Sequence, residues 1–392
     1  MSARVPGFRA EGVSSGAKPS GALDLALIAL DRPAAAAALF TQNEVPGAPV
    51  HVSKEHLRSG RAQAIVVNSG VANVSTGARG LRNARKMCDW TAAALGLARE
   101  QVQVASTGVI GPQLPIERIE KGIQLASESL SPGGFSRAAR AILTTDTRPK
   151  LASLQTRRFS LLGIAKGAGM IQPRMATMLC YLVSDVAATP AFLRSALREA
   201  VAPTLNAFSI DGETSTSDTV LLLANGAAGN RPLNSRSPAA AGFRRALRAL
   251  CEELTEKLAA DGEGVTRLCD VVVRGASSNG AAERVARSVG NSLLVKTALF
   301  GADPNWGRVV QAAGAAGVRL RPERLSVRFG GVPLLRRGTP VETKDALRRA
   351  EREMRRKRVS IEVDLGQGKG SAQLLTTDLS YEYVRINAEY TT

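Results

Sequence analysis

A mixed α/β fold, with helices layered on sheets, is what this sequence predicts, and three observations carry it. Short apolar runs bounded by Gly, Asn, Asp or Ser alternate along the chain with longer stretches of helical periodicity. No internal repeat interrupts that alternation. At 392 residues and 44% hydrophobic content, the chain can bury a large core, and two lobes are expected.

In order, the strand candidates are Ala64 to Asn68, Val102 to Ala105, Phe159 to Ile164, Met178 to Ser184, Thr219 to Ala224, Asp270 to Arg274 and Val359 to Asp364. The helix candidates are Arg82 to Leu97, Ile116 to Leu130, Pro190 to Leu205, Ala239 to Ala260 and Ala281 to Val289. Thr189 before Pro190 has the chemistry of a cap followed by a first-turn proline. TKDALRRAEREMRRKR, from Thr343 to Arg358, places Ala346, Ala350 and Met354 on one stripe with Leu347 alongside, as an amphipathic helix does. SLSPGG and GNRPLNSRSP read as surface loops.

Composition removes several function classes. The most apolar stretch, GALDLALIALDRPAAAAALF, contains Asp24, Asp31 and Arg32, whose charges are costly in lipid, so no membrane span is expected. The amino terminus has no apolar signal core, which predicts a cytoplasmic protein. The only two histidines, His51 and His56, share no helix face, and neither is flanked by a nucleophile turn. Cys88, Cys180, Cys251 and Cys269 form no CxxC pair, so no metal site is expected. The net charge of +18 would attract polyanions, but 4% aromatic content offers no stacking platform, and no nucleic-acid motif is present.

KGAGMIQPRMATMLCYLVSD, from Lys166 to Asp185, sets Thr177 between a glycine-rich bend and an apolar strand. Simple β propensity explains a threonine there. Alternatively, cutting the Ala176-Thr177 bond would give Thr177 a free α-amine beside its own hydroxyl, able to act as the activating base. That division makes an amino-terminal part of 1–176 and a carboxy-terminal part of 177–392.

Five further segments carry more glycine and polar residues than a core needs. NSGVANVSTGARG (68–80) has the look of a ligand-facing loop, and in ASTGVIG (105–111) Thr107 and Gly108 could offer a hydroxyl and an N–H to an oxyanion. SIDGETSTSDT (209–219) reads as a polar turn and not a calcium loop. DGEG sets Glu263 between glycines, and VKTALFGADPNWGR turns at Asp303 to Asn305. The last segment, YVRINAEYTT, reads as tied down by Ile386 and Tyr390.

Taken with GFRAEGV, FTQNEVPGAPV and TTDTRPK, these runs resemble the ornithine acetyltransferases, the self-processing glutamate N-acetyltransferases of arginine biosynthesis. The resemblance covers nearly the whole chain, and it implies a self-processing amino-terminal-threonine fold. It implies that Thr177 is the nucleophile, that Ala176-Thr177 is the cleaved bond, and that Thr107 and Gly108 form the oxyanion pair. Thr144, Lys166, Thr177, Glu263, Asn387 and Thr392 match substrate-binding positions. The chain departs from the family pattern at Val71, Val74, Ser75, Arg174, Val265 and Arg267, and none of these replaces a residue given a role.

The reaction implied is transfer of acetyl from N2-acetyl-L-ornithine to L-glutamate through an acetyl-threonine ester, without a cofactor. Acetyl-CoA is a second possible donor, and no GxGxxG or P-loop decides it. Two α and two β chains are the implied assembly. The competing expectations are an amidase or aminopeptidase of related fold, releasing the acyl group to water, and a nucleic-acid binder driven by charge.

Overall fold

The computed structural model describes residues 4–172 and 178–389. Two compact units emerge. One comprises residues up to 206 together with 214–258, and the other residues 207–213 and 259–391. The boundary between 176 and 177 therefore lies inside the larger unit and does not separate the two lobes.

The larger unit is built from β1 (Phe8–Val13), β2 (Leu25–Phe40), α1 (Ala48–His56), β3 (Arg61–Val71), α2 (Gly77–Leu95), β4 (Val102–Val109), α3 (Ile116–Glu128), α4 (Phe135–Ala141), β5 (Lys150–Gln155), β6 (Ser160–Lys166), β7 (Leu179–Ser184), α5 (Pro190–Val201), β8 (Thr219–Ala224) and α6 (Ala240–Ala259). Its sheet runs β4-β3-β2-β8-β7-β6-β5, with β1 paired to β2. Successive strand residues face opposite cores, as a two-residue period requires. Leu25, Leu27, Ala64, Val66, Val102 and Val104 pack against Met87, Ile119 and Ile123 of α2 and α3. Their neighbours Ala26, Ile28, Ile65 and Val67 pack with Phe135 and Ala138 of α4. Strands buried on both faces read as unbroken apolar runs, which is why β3, β7 and β8 were legible.

β2 was not. Asp31, Arg32 and Pro33 interrupt its apolar run, yet the strand continues to Phe40 with these three residues exposed. Pairing with β3 shifts register between Ala29 and Ala34, and that irregularity carries the two charges and the proline out to solvent. α5 starts as predicted, with the Thr189 hydroxyl accepting from the Phe192 N–H at 3.2 Å. It ends at Val201 and not at Leu205, because Pro203 cannot supply the next helical hydrogen bond.

The smaller unit holds β9 (Leu268–Ala276), α7 (Asn279–Asn291), α8 (Leu293–Phe300), α9 (Trp306–Gly314), β10 (Ser326–Phe329), β11 (Val332–Arg336), β12 (Thr339–Pro340), α10 (Lys344–Met354), β13 (Arg358–Asp364), β14 (Gly370–Thr377) and α11 (Tyr381–Glu389). The sheet order is β12-β11-β10-β13-β9-β14. Val271, Val273, Ile361 and Val363 face Val285 and Val289 of α7 and the Ala350 and Met354 stripe of α10. Leu347, expected alongside that stripe, is 47% exposed. α8 and α9 flank the turn expected at Asp303 to Asn305, and the Asn305 side chain caps α9. α11 has no fully buried residue, and Ile386 is half-buried on it. Among the described residues, no helix is long and apolar enough to cross a membrane.

Candidate active site

Thr107 and Gly108 lie at the end of β4, where it runs parallel to β3 with Gly70 opposite Gly108. Gly108 adopts φ +128°, and a Cβ there would sit 2.3 Å from the Gly70 carbonyl carbon. No residue with a side chain fits so close an approach. The neighbouring strand end is fixed by polar side chains: the Ser106 hydroxyl donates to Asn68 Oδ1 at 2.6 Å, and Asn68 Nδ2 donates to the Val71 carbonyl at 2.9 Å.

Lys166 closes β6 and points its ammonium at two hydroxyls. Nζ donates to Thr107 Oγ1 and to Thr144 Oγ1, each at 2.9 Å. Three residues matched to site positions thus meet at one nitrogen, and they come from the ends of two strands and a loop.

Asp146 holds the cluster together from behind. One carboxylate oxygen accepts from the Gly167 N–H at 2.7 Å and from the Lys150 ammonium, while the other accepts from the Thr144 N–H at 3.1 Å. Its side chain and that of Lys150 are buried. Burial pushes the Asp146 carboxyl up, but Lys166, Lys150 and the hydrogen bonds outweigh it and hold the carboxyl below its usual range. Lys18 is shifted down, mainly by burial, with Lys166 adding to the shift against the pull of Asp24. Its Nζ donates to the carbonyls of Leu23 and Leu143 at 2.9 and 2.7 Å.

A cavity of about 30 Å³ opens at this cluster, lined by Thr107, Lys166, Met178, Ser215, Ser217 and Asp218 among others. Met178 reaches it because the Thr219 N–H donates to the Met178 carbonyl at 2.9 Å, continuing the parallel β7 and β8 ladder. Asp146, Lys150 and Asp218 were not singled out from sequence. Asp146 sits inside the TTDT run and Asp218 inside SIDGETSTSDT, so the signal was present, but only the fold brings these acids to one lysine.

In the smaller unit, Asn387 Nδ2 donates to Glu263 Oε2 at 2.8 Å, so these two matched positions also meet. Glu263 is buried. Ala176, Thr177, Arg174 and Thr392 lie outside the described residues. His56 is a core residue, with Nδ1 2.8 Å from the Val102 carbonyl. All four cysteines are buried, and burial pushes the Cys180 thiol well above its ordinary value. Among the described residues, no group of three or more His, Cys, Asp or Glu could hold a metal ion.

A lysine–hydroxyl cluster at the strand ends of a layered α/β scaffold is what the fold and the site share, and comparison with known proteins gives the class, an acetyltransferase. The ArgJ family model matches residues 9–392. The arginine biosynthesis bifunctional protein ArgJ of Geobacter sulfurreducens is 44% identical over 99% of this chain and its own full length. That of Thermus thermophilus is also 44% identical, over the whole of both chains. A solved ArgJ chain from Bacillus halodurans aligns with TM-score 0.50 and 37% identity, covering 96% of that chain and 53% of this one. The chain belongs to the ArgJ family, acetyltransferases of arginine biosynthesis.

Proposed function

We propose that the chain is a glutamate N-acetyltransferase that moves acetyl from N2-acetyl-L-ornithine to L-glutamate after self-cleavage at Ala176-Thr177. The observation that carries this reading is the Lys166 ammonium shared between the Thr107 and Thr144 hydroxyls, beside a cavity that Met178 borders. Met178, the residue after Thr177 in sequence, borders that cavity. The half-length coverage of the solved relative also supports a chain that works in two pieces.

In this reading the Thr177 hydroxyl attacks the acetyl carbonyl, and its own α-amine takes the proton. The Thr107 hydroxyl and the Gly108 N–H stabilise the tetrahedral oxyanion, each donor contributing about 2.7 to 4 kcal/mol to the barrier reduction. Ornithine leaves, the ester remains, and the glutamate amine takes the acetyl group. Lys166 and Thr144 suit a substrate carboxylate, while Glu263, oriented by Asn387, suits an ammonium. Thr392 completes the binding set. A cytoplasmic address and an assembly of two α chains (1–176) and two β chains (177–392) go with this reading.

Intact-mass spectrometry of the purified protein beside Thr177→Ala tests the core of the proposal. Two pieces meeting at residue 177 are expected from the wild-type chain and one uncut chain from the variant. A wild-type chain that stays whole while transferring acetyl at full rate removes the proposal.

A further inference from the structure

The smaller unit holds a second cavity, of about 430 Å³, whose lining residues all fall between 277 and 367. None of them has a role in the reaction above. Four are arginines, Arg284, Arg319, Arg321 and Arg324, and among the described residues no acid lines the cavity with them. Four like charges held around one space repel one another, and a bound anion offsets that repulsion. The neighbouring acids do not: Glu283 pairs with Arg287, and Glu323, between Arg321 and Arg324 in the chain, is not part of the lining.

The sheet explains why the cavity stands where it does. β9 and β13 run parallel, with Arg274 beside Asp364 at their carboxyl ends. Just past those ends, Ser277 and Ser278 lead from β9 into α7, Gln367 follows β13, and all three line the cavity. A crevice beyond the carboxyl ends of parallel strands, at a helix start, suits an anion, because the first N–H groups of a helix have no helical carbonyl to bond. The Ser278 hydroxyl accepts from the Ala281 N–H at 3.2 Å and fixes the first turn of this 13-residue helix. On the other side the loop after β13 is seated tightly. The Gln367 N–H donates to the Gly275 carbonyl at 2.7 Å, and a Cβ on Gly370 would lie 2.4 Å from the Ser278 carbonyl oxygen. Arg324 is tied to the same loop, its Nη1 donating to the Gly366 carbonyl at 3.3 Å.

We propose that this cavity binds a diphosphate, either the free anion or the diphosphate group of a nucleotide. A phosphate group carries a charge of about −1.5 to −2 at neutral pH, so one phosphate neutralises at most half of the four guanidinium charges and two come close to all of them. Guanidinium forks pair with phosphate oxygens through two parallel hydrogen bonds, a geometry that lysine does not supply. The volume falls within the range of small-ligand sites, about 300 to 1,000 Å³. Among the described residues no aromatic ring lines the cavity, so the phosphates and not a base carry recognition. The proposal depends neither on acetyl transfer nor on cleavage of the chain.

Isothermal titration calorimetry of the full chain tests it, with pyrophosphate, ADP and orthophosphate as titrants in about 150 mM KCl, where charges more than about 8 Å apart are screened. Pyrophosphate is expected to bind one site per chain, at least about tenfold more tightly than orthophosphate. Arg284→Ala combined with Arg321→Ala is expected to weaken pyrophosphate at least about tenfold. Arg348→Ala combined with Arg352→Ala, on α10 and outside the cavity, is expected to leave it within about twofold. All four of these arginines are exposed, and thermal midpoints without titrant check that both variants fold. ADP binding at least as tightly as pyrophosphate assigns the site to a nucleotide, and weaker ADP binding assigns it to the free anion. Equal weakening by the two pairs of substitutions reduces the effect to the net charge of +18 and overturns the proposal. Pyrophosphate that binds no tighter than orthophosphate, or that is indifferent to the loss of Arg284 and Arg321, overturns it as well.

Discussion

Lys166 serves two hydroxyls with one ammonium, and Asp146 fixes the backbone on both sides of that arrangement through Thr144 and Gly167. Glu263 is the counterpart at the residue scale in the smaller unit, a buried carboxylate held by one amide. Replacing it with glutamine keeps that shape and removes only the charge. A hydrogen bond to a charged partner contributes about 1.5 to 3 kcal/mol, so the KM for acetylornithine should rise roughly tenfold or more while the fold persists. Steady-state kinetics of Glu263→Gln read this directly, and an unchanged KM takes Glu263 out of ammonium binding. The residues matched by resemblance, Thr107, Thr144 and Lys166, stand in short distinctive runs, two at strand ends and one in a loop. Asp146 and Asp218 escaped because an acid in a polar run has many uses, and only its tertiary neighbours choose among them.

Among the elements, α8 is joined to β14 by a buried lysine. Lys296 is 1% exposed, and its Nζ donates to the Thr377 carbonyl, to Thr377 Oγ1 at 3.1 Å and to Thr376 Oγ1 at 3.4 Å. Burial pushes its pKa down to about 8, although Asp211 and Asp378 pull the other way. The sign of the pH effect follows from proton counts. Between about 8 and the ordinary value of 10.5, the unfolded chain holds a proton here that the folded chain has released, so this group adds stability as pH rises. Below that window both states are protonated, and burial of the charge lowers stability. Lys296→Met should therefore flatten the rise, which urea midpoints measured across the window would show. An identical pH slope in wild type and variant contradicts the shift. β2 gives the complementary lesson about legibility: periodicity fails where a register shift carries charged residues and a proline to solvent in mid-strand.

For the molecule as a whole, the proposed cut divides the large sheet in an unusual way. Residues 1–176 supply β1 to β6, while β7 and β8 come from 177–392. Yet β8 pairs with β2 and β7 pairs with β6, so the second part contributes a two-stranded insert flanked on both sides by the first. Both seams are full backbone ladders between buried strands. The two pieces are expected to co-migrate in size-exclusion chromatography after cleavage and to separate only in denaturant. Separation in native buffer would contradict either the division or the sheet order. Fold class was legible from alternating apolar runs, but this strand order was not, since local periodicity says nothing about which distant strands become neighbours.

That insert sets a sequence in time. An amino-terminal piece synthesised alone would present bare hydrogen-bonding rows along β2 and β6, the kind of edge that recruits stray chains into aggregates. Under the proposed cut, scission would follow closure of the sheet, and a gene divided at codon 177 would not be an equivalent substitute for one continuous reading frame.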